Sequence, residues 1–277
     1  MHPRIAAAFF VPLALSLVLA APVAAAPPTP TVYLAVGDSL AVGAGATDPD
    51  SGGYVALLSD YFAGASHGGA QTLVNVGNGG ETTGSLLGAQ LGSALAVIGD
   101  PGTDVRVVTL SIGGNDLQSL IDEPGDPCVF DSSSGACQAA VAGVLANAST
   151  NFAAVMYYLT TALAADTGSE KVLVMTLYNP FGGTGSPYEV PVDVALLGGD
   201  GVIDCGAAAG NPANAGMNDI IACTTWYFGG IVVDMYPVIG DHALALTHIG
   251  DPGFDAHLND AGYEAAAKAH RRADRAS

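Results

Sequence analysis

A serine hydroxyl attacks a carbonyl carbon only when a neighbouring imidazole takes its proton, and the oxyanion that forms needs hydrogen-bond donors fixed in advance. This chain carries those residue types at telling places. In VYLAVGDSLAVG (32–43), five residues suited to a buried strand run into Gly37-Asp38-Ser39, so Ser39 stands where the strand ends. Far along the chain, FDAHLNDAGY carries His257 with Asp255 two residues before it. Between them, NVGNGG supplies Asn75, Gly77, Asn78, Gly79 and Gly80, and IGGND supplies Gly113, Gly114, Asn115 and Asp116. Each piece alone has an ordinary reading, since glycines make turns and Asp, Ser or Asn cap helices. Brought together, they describe a catalytic site.

What brings them together must be a set of parallel strands. TVYLAV (31–36), TLVNVG (72–77), VRVVTLSIG (105–113), KVLVMTLYNP (171–180) and GIVVDMY (230–236) are apolar throughout, as strands covered on both faces are. Helical spacing separates them: Val55, Leu58 and Phe62 in 53–64, the stretch 82–98, and a last helix from about Asp260. In 138–165, Val141, Val144, Leu145, Ala148, Phe152, Val155, Met156 and Leu159 share one helical face. The pattern predicts an α/β fold with a parallel five-stranded sheet, whose reacting groups gather beyond the carboxyl ends of the strands. The segment Phe181–Asn211, rich in Gly, Pro and Asp, is too long for an ordinary connection and reads as an ordered loop walling a binding site.

The blocks GDSL, NVGNGGETT, GGND and DAHLNDAGY, in this order and spanning roughly residues 31 to 270, resemble the four motif blocks of the GDSL or SGNH hydrolase family. The resemblance implies a three-layer α/β/α sandwich of the flavodoxin-like, SGNH hydrolase type and hydrolysis of carboxylic esters through an acyl-enzyme. It implies Ser39 as nucleophile and His257 as base, with the backbone N–H groups of Ser39 and Gly80 and the side-chain amide of Asn115 as the oxyanion hole. Asp38 and Asp116 match acidic positions of their blocks and read as turn and network residues. The last block departs from the family. Its usual D-x-x-H would put the acid at residue 254, which is Phe254, and Leu258 stands where proline is frequent. Asp255 is the preferred triad acid, because residues i and i+2 of an extended segment point to one side. Asp251, or a backbone carbonyl, stays open as the alternative.

Other serine and histidine positions have plainer readings. GASHG (64–68) has the G-x-S-x-G pattern around Ser66, but that elbow needs a strand before the serine and a helix after it, the reverse of the order here. Ser66 and His67 read as a surface turn. His242 and His248, just ahead of His257, are candidates to line the pocket, and His270 lies among basic residues of the terminal helix.

The remaining features set the context. A weakly basic start, an apolar run from Ile5 to about Leu19 and small residues through Ala26 have the layout of a signal peptide (1–26), with Pro12 and Pro22 arguing against a retained anchor. Residues 27–277 read as a single domain without stable membrane insertion, secreted to the extracellular space. Seven Lys and Arg against 26 Asp and Glu give a net charge of −19, which repels phosphate backbones and argues against nucleic acid as a partner. Four cysteines in an exported chain suggest two disulfides, preferably Cys128–Cys137 and Cys205–Cys223 because each pair brackets a loop-like segment. No zinc spacing is present, so neither a metal nor another cofactor is expected, although loop aspartates leave calcium open. The chain therefore reads as a secreted serine esterase or lipase acting on a small-molecule, lipid or polysaccharide ester. The alternative is a non-catalytic carbohydrate- or surface-binding derivative of the same fold.

Overall fold

The computed structural model describes residues 29–64, 71–121, 124–129, 131–165, 170–199, 201–206, 215–253 and 255–277. The expected leader at 1–26, Ser66 with His67, and Phe254 lie outside these residues. Strands β1 (Thr31–Gly37), β2 (Thr72–Asn75), β3 (Asp104–Ser111), β4 (Lys171–Met175) and β5 (Ile231–Val233) form one sheet in the order β2-β1-β3-β4-β5, with every neighbouring pair parallel. Helices α1 (Tyr54–Phe62), α2 (Thr83–Ile98), the short α3 (Gly114–Gln118), α4 (Gly135–Leu163), α5 (Glu189–Leu197), α6 (Met217–Tyr227) and α7 (Asp260–Ala276) accompany it.

Strand side chains alternate between faces, so one apolar run feeds two cores. Val32, Leu34 and Val36 of β1 pack on one side with residues of α2, α4 and α6; Tyr33 and Ala35 pack on the other with residues of α1 and α7. The result is the expected three-layer α/β/α sandwich. From β1 the chain steps outward to β2 and then crosses back to β3, so the order reverses beside β1. The loops after β1 and β3 consequently diverge and open a crevice at the carboxyl edge.

Two local features fix the end of β1. Gly37 passes so close to β3 that a Cβ would meet the Ser111 carbonyl oxygen at 2.3 Å, which excludes any larger residue. On its other side, β2 has already ended. There a π-helical turn in α2 (Leu86–Gln90) turns buried Gln90 inward, where its Oε1 accepts from the Gly37 N–H at 2.7 Å and its Nε2 donates to the Gly37 carbonyl at 2.9 Å. The amide stands in for a missing strand.

The 29-residue α4 is long and apolar enough to cross a membrane, yet the face expected from its spacing is packed in the core: Leu145, Ala148, Phe152, Val155, Met156 and Leu159 are all buried. The segment expected to be a long loop after β4 instead contains α5. Its sequence EVPVDVALL hides the helix, because Pro191 and three valines are poor helix formers. Pro191 is tolerated because it lies in the first turn, where an N–H has no helical partner. α6 carried no periodic signal either. Its first turn is closed by the Asp219 carboxylate, which accepts from the Gly216 N–H at 2.7 Å. The two disulfides join Cys128 to Cys137 and Cys205 to Cys223, the pairing expected from nearest neighbours.

Candidate active site

Ser39 lies in the turn leaving β1, and its Oγ is 2.9 Å from Nε2 of His257, 218 residues away. On the other side of the ring, His257 Nδ1 is 2.7 Å from Asp255 Oδ1. A neutral imidazole that donates through Nδ1 keeps its lone pair on Nε2, facing the serine hydroxyl. The same Asp255 oxygen also accepts the His257 backbone N–H at 2.9 Å. This tight turn is what lets an acid only two residues away reach Nδ1. Partial burial works to raise the Asp255 pKa, but the two hydrogen bonds from His257 and the nearby positive charge outweigh it and hold the carboxyl below its ordinary value.

Asp251 is engaged elsewhere. Its Oδ2 lies 2.7 Å from Nδ1 of His248, whose Nε2 is 2.7 Å from the Gly45 carbonyl oxygen. The other histidines are also placed apart from the expected pocket. His242 is exposed, and neither it nor His248 lines the cavity described below. His270 is fully buried against the Tyr54 ring, and burial lowers its pKa to about 4.

The second and third motif blocks are tied to each other and to the first. Asn75 Nδ2 donates to the Ala41 carbonyl at 2.8 Å, and the Asn78 N–H donates to the Gly37 carbonyl at 3.0 Å. Asn115 Nδ2 donates to the Glu81 carbonyl at 2.8 Å, which fixes the orientation of its amide. The neighbouring Asp116 carboxylate accepts from both the N–H and the hydroxyl of Thr83, at 2.9 and 2.7 Å. Gly80 sits in an exposed turn just ahead of Glu81 and is not part of the cavity lining. Asp38 is buried, accepting from the Leu40 N–H and the Ser111 hydroxyl, each at 3.1 Å. Burial raises its pKa to about 7 against these hydrogen bonds. Both aspartates thus act in the networks read from the sequence.

Ser39, Asn115 and His257 open onto a cavity of about 640 Å³. Its walls are largely apolar: Leu117 and Leu120 after β3, Val141 and Leu145 from α4, and Val192 and Leu196 from α5. Val192 and Leu196 fall in the 181–211 segment expected to wall a site, whereas Val141 and Leu145 escaped the sequence reading because the apolar face of α4 looked like core. Gln90 escaped too, although a glutamine inside the otherwise apolar LLGAQLGSALAVI was a signal.

The model of the GDSL-like Lipase/Acylhydrolase family matches residues 35–265. Among solved structures, an extracellular lipase from Streptomyces rimosus is 23% identical with a TM-score of 0.56, covering 88% of this chain and 99% of that one. A lipase from a goat rumen metagenome is 18% identical with a TM-score of 0.54, covering 88% and 97%. Axe2, an acetylxylan esterase from Geobacillus stearothermophilus, is 15% identical with a TM-score of 0.56, covering 87% and 92%. At these identities the likeness establishes the fold. No curated protein sequence matches significantly. With four motif blocks gathered at one sheet edge and a family model covering most of its length, the chain belongs to the GDSL-like lipase/acylhydrolase family and is a carboxylic ester hydrolase.

Proposed function

We propose that the protein is a secreted serine esterase that works through an acyl-enzyme and prefers esters with a medium or long apolar acyl chain. The observation that carries this reading is the hydrogen-bonded line Ser39–His257–Asp255 opening onto a largely apolar cavity of about 640 Å³. In it, His257 takes the Ser39 proton as the hydroxyl attacks the ester carbonyl, then returns it to the leaving alcohol. Asp255 holds the Nδ1–H tautomer and stabilises the imidazolium that forms. The Ser39 and Gly80 N–H groups and the second hydrogen of the Asn115 amide receive the oxyanion. Water then repeats the sequence on the acyl-enzyme.

The fold does not choose a substrate, since similar structures include both lipases and an acetylxylan esterase. The lining does. A cavity of this size lies within the usual range for binding drug-sized molecules, about 300–1,000 Å³, and apolar walls favour a hydrocarbon chain over a sugar. Secretion belongs to the same reading. It is supported by the apolar run at 5–19, the two disulfides, and the fold likeness to an extracellular lipase.

The test is hydrolysis of p-nitrophenyl esters from acetyl to palmitoyl by the wild type and by Ser39→Ala. kcat/KM is expected to rise with chain length, and the substitution to lower kcat by a factor on the order of 10⁵–10⁶. A protein most active on the acetyl ester would overturn the chain-length preference. Near-normal activity in Ser39→Ala would overturn the mechanism.

A further inference from the structure

The turn that follows Ser39 is held by side chains from the region of His257. The Ala44 carbonyl accepts from the Tyr263 hydroxyl at 2.5 Å. Thr47 donates both its N–H and its hydroxyl to the Asp260 carboxylate, each at 2.8 Å. The Gly45 carbonyl meets His248 Nε2. This turn presses directly on the base: a Cβ at Gly45 would lie 2.8 Å from the Cβ of His257 and 2.6 Å from the Leu258 carbonyl oxygen. His248 is joined to the same strand of chain, because its own N–H donates to the His257 carbonyl at 2.9 Å and Thr247 bridges to Leu258.

The ring of His248 has acceptors at both nitrogens, a carboxylate oxygen and a backbone carbonyl, each 2.7 Å away. A neutral imidazole has one N–H and one lone pair, so one of these contacts would set a lone pair against an acceptor oxygen. The imidazolium donates to both. We infer that His248 is a positioning residue, held as an imidazolium between Asp251 and Gly45, that clamps the turn after Ser39 against the segment carrying His257. This rests on Ser39 and His257 being the nucleophile and base, and it explains why Asp251, six residues before His257, does not serve the triad.

The charged groups facing the ring are Asp251 and Asp255 on its own stretch of chain and Asp260 at the start of α7. From the turn after Ser39 the ring receives the Gly45 carbonyl. The hydrogen bonds to Asp251 and Gly45, in that order, raise the His248 pKa. The sign follows: the clamp is complete below the unfolded-state value of about 6.5 and is lost as pH rises through the raised value in the folded protein.

The experiment combines an NMR titration of the His248 ring, assigned by difference with His248→Asn, with kcat and KM between pH 5 and 9 for wild type, His248→Asn and His248→Arg. The ring is expected to titrate above free histidine. His248→Asn is expected to lower kcat about tenfold or more with KM little changed, as misplacement of reacting groups does. It should also lack the alkaline decline that follows the His248 titration in the wild type. His248→Arg, permanently charged and rich in donors, should restore kcat and hold it at alkaline pH. A ring that titrates at or below free histidine would overturn the clamp, as would wild-type kcat in His248→Asn or a failure of arginine to rescue. Labelling of Ser39 by a fluorophosphonate, run in parallel, separates the two ideas. Without labelling the catalytic reading fails, while the NMR titration still judges the clamp.

Discussion

At the scale of single residues, two aspartates near His257 have different partners, and the difference predicts different losses. Asp255→Asn should lower kcat by roughly 10⁴-fold, because the amide no longer fixes the imidazole tautomer or stabilises its cation. Asp251→Asn, which touches His248 and not His257, should cost far less. Steady-state kinetics on both folded variants checks this; a dead Asp251→Asn beside an active Asp255→Asn would reverse the assignment. Asp38 offers a prediction about pH. Its carboxyl titrates at about 7 in the folded protein because it is buried, against roughly 3.9 when unfolded. The folded state therefore holds this proton longer, and stability falls as pH rises from about 4 to 7. Asp38→Asn removes the ionisation, so the variant should gain stability relative to wild type across that window. The gain should be on the order of a few kcal/mol and level off above it. Denaturation at pH 4, 5.5 and 8 measures the difference; a gap that does not widen with pH would contradict it.

At the scale of elements, the least expected piece is the π-helical turn in α2. An uninterrupted α-helix would place a different side chain at Gly37, and the end of β1 would lose its partner where β2 stops. Gln90→Leu should leave the buried Gly37 N–H unsatisfied, whereas the Gly37 carbonyl keeps the Asn78 N–H. The expected cost is about 1–3 kcal/mol, the penalty for one orphaned buried donor. Urea denaturation measures it, and activity should fall with it because Ser39 is two residues away. An unchanged unfolding midpoint would show that the amide contributes no net stability. α5 teaches the opposite lesson about element signals. Its proline and valines argue against a helix, yet packing of Leu196 and Leu197 into the core overrides that weak local preference.

At the scale of the whole molecule, a net charge of −19 on a chain with seven Lys and Arg leaves few opposite charges to offset repulsion within the compact state. Raising salt from about 10 to 300 mM shortens the screening length from roughly 30 Å to less than 10 Å, so Tm at neutral pH should rise over that range. A flat or falling Tm in a calorimetric salt series would contradict the expectation. The sequence by itself determined the layers and the carboxyl edge, because apolar runs separated by helical spacing admit a parallel sheet, and such sheets gather their loops at one end. It also singled out Ser39, His257 and Asn115 as candidates and gave both disulfide pairs, since motif order and nearest spacing are local properties. It favoured Asp255 as the acid over Asp251 or a backbone carbonyl without deciding it, because that choice depends on how one turn folds back to His257 and on whether His248 engages the competitor. Gln90 at Gly37, the contacts between the turn after Ser39 and the His257 segment, and the contribution of α4 to the apolar wall were decided by tertiary structure alone. Each joins segments dozens to hundreds of residues apart, and only packing brings them within hydrogen-bond or van der Waals distance.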